Sequence, residues 1–339
     1  MPIPKLVRRF TTVPAFAVVA ILVATISPVL LVAAFVVDLV AWRRLRLTRF
    51  VVLVVVWSYA EVVGILALFF LWLLGGFGLL FRFPFFLEIH YVLLGAWLRV
   101  AVKVVRVALG LRIESDVEPW SQDQRVIVFA RHAGPADSLL FADAISRRSR
   151  NPRIVAKAAL QWDPFIDVAA NRVPFHFVGA GGAAGHDTAA LAELAGGMGS
   201  RDAFLIFPEG GNFTSDRRDR AISSLEAKGL EAYAEAAKGM SNVLPPRPGG
   251  ALAVLEAAPD AEVVFVAHTG TEHVQGLADV WRAVPFGEPL RVRTWVVPPS
   301  ARPPATDREA TIEWLFRWWG VVDGWIGEIE AMRLRRRAG

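Results

Sequence analysis

From Thr11 to Val37 the chain carries no charged residue, and a second uncharged stretch, opened by Glu61, runs from Val62 to Phe81. Each is long enough to cross a hydrocarbon core, which takes about 20 apolar residues. Hydrophobic residues make up 54% of the chain, too many for an ordinary soluble domain of this size, so a bilayer is expected to take up part of them. A secretory leader would end at a cleavage site and give way to a soluble body, whereas here a second apolar segment follows at once. The two segments, about 11–41 and 50–81, are therefore read as a retained anchor spanning residues 1–83.

Charge leaves the path of that anchor open. Lys5, Arg8 and Arg9 precede the first segment, and Arg43, Arg44, Arg46 and Arg49 follow it, which conflicts with a single crossing. A hairpin bent near Ser27 and Pro28 would remove the conflict, although each arm would then be short for a full span. With no cysteine, disulfides, thiolate metal sites and a cysteine nucleophile are excluded. Net charge is +5, and lysine occurs only at 5, 103, 157, 228 and 238. An arginine bias of this kind suits an anionic membrane surface and phosphate-bearing ligands, and equally a GC-rich genome.

Residues 84–111 place Arg99, Lys103 and Arg106 at helical spacing among apolar neighbours, the pattern of an interfacial or packing helix. From residue 112 to 339 short β-rich runs alternate with helical stretches, which predicts an α/β domain with a mixed, largely parallel sheet flanked by helices. The strand candidates are 125–130, 153–157, 173–178, 203–208, 262–268 and 291–297. Several are continuously apolar, as strands covered on both faces are. Helices are expected at about 137–148, 186–197, 221–239 and 249–258, with a tryptophan-rich C-terminal helix ending in arginines.

Two segments carry chemistry. RHAGPADSLLFADA, residues 131–144, follows one predicted strand and opens a helix. Gly134 and Pro135 allow a tight turn that folds the Asp137 carboxylate back onto one nitrogen of His132, leaving the other to act as a general base, with backbone amides near Gly134 or in the turn at 210–211 as the candidate donors to an oxyanion. Taken alone, Asp137 is equally an ordinary helix N-cap and His132 an ordinary loop histidine. FPEGGNFTSDRRDR, residues 207–220, follows another apolar strand. Its Pro208, Gly210 and Gly211 make a sharp turn whose amides suit phosphate, with Glu209 at its mouth and Arg217, Arg218 and Arg220 close behind.

Together these segments resemble the glycerolipid acyltransferase family of 1-acylglycerol-3-phosphate and lysophospholipid acyltransferases. That family is marked by a histidine and an aspartate separated by four residues, here His132 and Asp137, then by a Phe-Pro-Glu-Gly block, here Phe207 to Gly210. RIVAKAALQWDPFI, with Lys157, and VPFHFV resemble the segments between, and VLPPRPGGALAVLE resembles a block carrying Leu-Pro-Arg, here Leu244, Pro245, Pro246 and Arg247. The resemblance covers roughly residues 85–300. It implies transfer of a fatty acyl group from acyl-CoA or acyl carrier protein to a lysophospholipid hydroxyl, with His132 and Asp137 catalytic and Glu209, Gly210 and Gly211 binding substrate. No cofactor beyond that co-substrate, no metal and no nucleic-acid partner is expected. The enzyme would be integral to the cell membrane, with its catalytic domain on the cytoplasmic face where coenzyme A thioesters are made.

The sequence departs from the family in one clear respect. Where Thr-Arg usually follows Glu-Gly, and the arginine is taken to hold the acceptor phosphate, this chain has Gly211 and Asn212, and asparagine offers no bidentate charged contact. Lys157, Arg172, Arg217, Arg218 and Arg247 are the candidate substitutes. Otherwise the acceptor is a glycolipid or polyol, or the chain is a non-catalytic lipid-binding relative. The asparagine usual before the histidine is Arg131 here. His176, His186, His268 and His273 read as structural or surface residues, because no acidic or thiol partner stands at metal-ligand spacing.

Overall fold

The computed structural model describes residues 4–179 and 184–338, without the side chains of 184–187, 277, 337 and 338. Three long helices come first: α1 (Lys5–Val40), α2 (Arg46–Leu74) and α3 (Pro84–Leu109). The α/β body follows as β1 (Ile113–Asp116), β2 (Val126–Ala130), α4 (Asp137–Arg147), β3 (Asn151–Lys157), α5 (Pro164–Ala170), β4 (Phe175–Val178), α6 (Ala184–Gly196) and β5 (Asp202–Ile206). It continues with α7 (Ser215–Glu226), α8 (Glu231–Lys238), α9 (Pro248–Ala257), β6 (Glu262–Thr269), α10 (Leu277–Ala283), β7 (Leu290–Val297) and α11 (Arg308–Ala338).

The strands form one sheet in the order β1-β7-β6-β2-β5-β3-β4, parallel throughout except for the antiparallel pair β6 and β7. This is the mixed, largely parallel sheet expected from the alternating pattern. Side chains obey the period of two. Ile127, Phe129, Phe204, Ile206, Val263, Phe265 and Ala267 join the core under α9 and α11, while Val126, Val128, Ala203, Leu205, Val264 and Val266 join the core under α3, α4 and α5. Because β2, β3, β5 and β6 all point the same way, the loops that leave them gather along one edge, the usual place for a site in an open α/β sheet.

The anchor differs from expectation at its bend. No hairpin forms at Ser27 and Pro28, since α1 runs unbroken from Lys5 to Val40. Pro28 offers no N–H to the carbonyl of Ala24, and the Ser27 hydroxyl donates to that carbonyl instead at 3.0 Å, so the helix survives its proline. The chain reverses at residues 41–45, where Trp42, Arg44 and Leu45 adopt positive φ of 52°, 52° and 59°. The buried Asp38 secures that turn by accepting from the Leu47 and Thr48 amides at 3.1 and 2.7 Å, so the N-terminus of α2 is capped from outside the helix. Both α1 and α2 are long and apolar enough to cross a membrane, with mean hydropathy of 2.7 and 2.3. Their exposed residues, among them Phe10, Ile21, Val32, Val40 and Phe70, suit membrane association.

The helix layer is nonetheless seated on the body. Asp167 of α5, fully buried, accepts from Arg8 at 2.5 Å and from Arg9 at 3.0 Å, so two of the three cations that precede the first apolar segment are held by the α/β body. At the other end Arg49 donates to the Val107 and Ala108 carbonyls that close α3. Between these ties Phe165 stacks on Trp97 with centroids 4.6 Å apart, and Gly64 of α2 lies flat against both rings. A Cβ at Gly64 would stand 2.6 Å from the Phe165 ring and 3.2 Å from Trp97. Gly64→Val should therefore overpack the junction and cost about 1–3 kcal/mol. Thermal unfolding in detergent would read this as a lowered midpoint, and an unchanged midpoint would refute this seating of α2.

Candidate active site

The loop after β2 is built around one carboxylate oxygen. Asp137 opens α4, and its Oδ2 accepts from the backbone N–H of Ala133 at 2.7 Å and of Gly134 at 2.8 Å, as well as from His132 Nδ1 at 3.0 Å. The turn through Gly134 and Pro135 thus folds the carboxylate back onto the histidine, as the spacing suggested. Burial alone would raise the Asp137 carboxyl, yet the neighbouring His268, the His132 hydrogen bond and the Gly134 amide outweigh it and hold it well below the usual range. A carboxylate that stays ionised can accept only, so Nδ1 of His132 carries a proton, and in the neutral ring Nε2 is the nitrogen with the free lone pair.

The second motif closes over the first. Phe207 stacks on the His132 ring with centroids 4.3 Å apart, the Phe213 amide donates to the His132 carbonyl at 2.7 Å, and the His132 side chain remains 12% exposed. Gly210 takes a positive φ of 70°, and a Cβ there would stand 3.0 Å from Arg247, whose side chain lies across it. Both facts call for glycine at this position. Arg217 donates to the Asn212 carbonyl at 3.0 Å and lies 3.5 Å from where a Gly211 Cβ would be. Both guanidiniums are therefore on the rim of the His132 loop, and both residues are exposed.

Four candidates sit differently from expectation. Glu209 does not face substrate: it is 1% exposed, and its two oxygens accept from the His132 amide at 3.2 Å and the Leu244 amide at 3.3 Å. Burial pushes its carboxyl up to about 8 against the pull of Arg131 and of these two donors. Its place is to bind the histidine loop to the 244–247 block. Arg172 lies away from the site, where it donates to the Leu68 carbonyl, meets His90 Nε2 at 3.3 Å and covers the Phe81 ring, because its strand connection runs beneath the helix layer. Arg218 is turned to the Met240 and Lys238 carbonyls. The Gly134 amide, expected as one source of oxyanion donors, is already committed to Asp137. Lys157 stands exposed at the end of β3, on the same sheet edge as His132.

Sequence reasoning passed over two residues. Arg131, 1% exposed, donates to the His268 carbonyl and to Glu272 at 2.6 Å each, and to the Asn242 carbonyl at 2.6 Å. Burial would raise the Glu272 carboxyl, but Arg131 outweighs it and brings it down to about 2. His268, fully buried, places Nε2 3.5 Å from Asp137 Oδ2. The signal was its parity: residues 264, 266 and 268 of one strand point to the face that carries α4. His273 lies against Phe286, His176 falls in β4, and His186 is outside the described side chains.

Both groups that face Glu209 are N–H donors, so a carboxamide would have to turn its own NH2 toward one of them. Glu209→Gln should cost about 1–3 kcal/mol for the bond lost and the donor left buried. It should lower kcat through the displaced His132 loop while leaving the acceptor KM near its wild-type value. Steady-state kinetics alongside thermal unfolding check this, and a change confined to acceptor KM would speak against it.

The acyltransferase family model matches residues 112–269, which span β1 to the end of β6 and include His132, Asp137, Phe207, Glu209 and His268. Among solved structures, the chain is similar to the 1-acyl-sn-glycerophosphate (LPA) acyltransferase PlsC of Thermotoga maritima, at 15% identity and a TM-score of 0.44, over 80% of this chain and 98% of that one. No curated protein matches. Over the domain that holds the His132 and Asp137 couple, the chain thus matches the acyltransferase family, and the match supports its being an acyltransferase.

Proposed function

We propose that the enzyme transfers a fatty acyl group from an acyl thioester, coenzyme A or acyl carrier protein bound, to a hydroxyl of a lysophospholipid such as 1-acylglycerol-3-phosphate. The observation that carries this reading is the His132 ring, tied to Asp137 on one side, stacked on Phe207, and open at the sheet edge. The acceptor hydroxyl gives its proton to His132 Nε2 while its oxygen forms a bond to the thioester carbonyl carbon. The resulting imidazolium is stabilised by Asp137. Collapse of the tetrahedral adduct breaks the carbon–sulfur bond, and the departing thiolate takes the proton back from His132. The Gly211 and Asn212 amides donate to no group among the described residues, which leaves them for the oxyanion.

Arg247 and Arg217, flanking the turn at 210–212, would meet the acceptor phosphate in place of the arginine absent at 212, with Lys157 on the same edge. The acyl chain has room behind Phe141, whose ring lies against both Phe207 and His268. A cavity of about 270 Å³ opens there between α3, α4 and the sheet, with Val102, Leu140, Val266 and Leu290 on its apolar wall and Arg106, Asp143, Arg147 and Arg148 also lining it. Each methylene buried in it would contribute about 0.8 kcal/mol.

The helix layer fits a seat in one leaflet. Both ends of α1 are held at the body, through Asp167 and through the turn beside the end of α3, so its apolar outer face lies along the domain. A lipid acceptor would then reach His132 without leaving the bilayer, from the cytoplasmic side. One observation favours a second reading, an acceptor bearing extra hydroxyls: Asn212 Oδ1 is buried and finds no donor among the described residues. A polyol hydroxyl would satisfy it.

His132→Ala should lower turnover of labelled acyl-CoA by about 10²- to 10⁴-fold with the protein still folded. Near-normal turnover would end the general-base reading. Arg217→Ala and Arg247→Ala should each raise the KM for a phosphorylated acceptor about tenfold, the worth of one charged hydrogen bond. A screen of lysophosphatidic acid against glycolipid and polyol acceptors separates the readings, and a preference for an uncharged polyol would overturn the phosphate assignment.

A further inference from the structure

The carboxylate at the centre of the site is approached by two imidazoles, and the reading above uses only one. His268 ends the run of inward residues on β6, is fully buried, and packs edge-on against Phe141 at 5.2 Å. Its Nε2 lies 3.2 Å from the Arg131 carbonyl and 3.5 Å from Asp137 Oδ2. Both neighbours can only accept, so this nitrogen bears a proton whatever the charge of the ring. Nδ1, also buried, meets no hydrogen-bonding group among the described residues, so nothing competes for the proton from the other side.

We infer that His268 is a positioning residue for acyl transfer: its Nε2–H, shared between Asp137 Oδ2 and the Arg131 carbonyl, holds the carboxylate that orients His132. The inference rests on the proposed general-base role of His132. Two backbone amides fix Asp137 from its own loop, and His268 fixes it from a different strand, which ties the loop after β2 to the end of β6 at the atom that binds His132. The other charged groups around this atom are Arg131 from the end of β2, Glu209 from the turn after β5 and Glu272 from the loop after β6. Arg131 is already paired with Glu272, and both oxygens of Glu209 are occupied by amides, so neither replaces the His268 donor.

Without that donor Asp137 would be both looser and more basic. A looser Asp137 slows the chemical step, because displacing a reacting group by about 1 Å costs on the order of 10²-fold. A more basic one holds the His132 imidazolium more tightly, so the acid limb of the rate profile moves to higher pH. His268→Phe, assayed as the full-length protein in lipid vesicles, should lower kcat by about ten- to a hundredfold. KM for both substrates should stay near wild type, and the acid limb should shift upward. His268→Gln, whose side-chain NH2 falls near the position of Nε2, should recover most of the rate and return the limb toward wild type.

Wild-type kcat and pH profile in His268→Phe would overturn the inference. A folded His268→Gln as impaired as His268→Phe would do the same, since the donor would then not be what matters. Should His268→Phe fail to unfold cooperatively, His268→Met against His268→Gln makes the same comparison. His132→Ala is run beside them: if it keeps full turnover the general-base reading itself fails, whereas an inactive His132→Ala with an unimpaired His268→Phe removes the role of His268 alone.

Discussion

The site depends on how many donors converge on Asp137 Oδ2. Two amides and an imidazole bind it within 3.0 Å, and a second imidazole stands at 3.5 Å. An ionised carboxylate at 2% exposure is stable only when it is compensated in this way. The amides that do so belong to Ala133 and Gly134, so the tight turn between the histidine and the aspartate is itself part of the charge balance. A spacing of four residues between His132 and Asp137 is what lets one oxygen reach the ring and both amides at once.

Around that atom, buried polar groups tie three strand ends together, those of β2, β5 and β6. Arg131 joins the end of β2 to the Asn242 carbonyl and to the loop after β6, and Glu209 joins the His132 loop to the 244–247 block. A buried guanidinium is costly unless it is fully paired, and here its donors go to two carbonyls and to Glu272. The arginine that stands where the family usually has asparagine thus acts inward, on the scaffold, and is not available to a substrate. Its charge also keeps Glu272 ionised, whereas burial drives the more deeply enclosed Glu209 up against the same pull.

Most of the sheet was legible because buried parallel strands write themselves as unbroken apolar runs, and six of the seven were read within about two residues of their ends. The missed strand, β1, reads IESD and lies at the edge, where only one side is paired and no apolar run is required. The stretch 221–239 was read as one helix, whereas Gly229 takes a positive φ of 69° and parts α7 from α8. Pro28 does not break α1, because the Ala24 carbonyl it leaves without a donor is met by the hydroxyl of Ser27, one residue earlier. In the site, local spacing revealed His132 and Asp137. The inward turn of Glu209, the diversion of Arg172 to Leu68 and the arrival of His268 are long-range facts, set by which strands become neighbours.

The same logic joins the anchor to the chemistry. Phe165 and Asp167 belong to α5, which follows the strand that ends at Lys157, and they hold α2 and α1 respectively. Arg8 is 6% exposed in its bond to Asp167, so pulling α1 away would strand a buried carboxylate. The apolar helices are therefore not a tether that lets the catalytic domain swing. They form a fixed wall whose outer face suits lipid and whose inner face is continuous with the core beneath β2, β3 and β5. In the proposed function the orientation of His132 toward the bilayer then follows from packing between α2 and α5, and not from linker length.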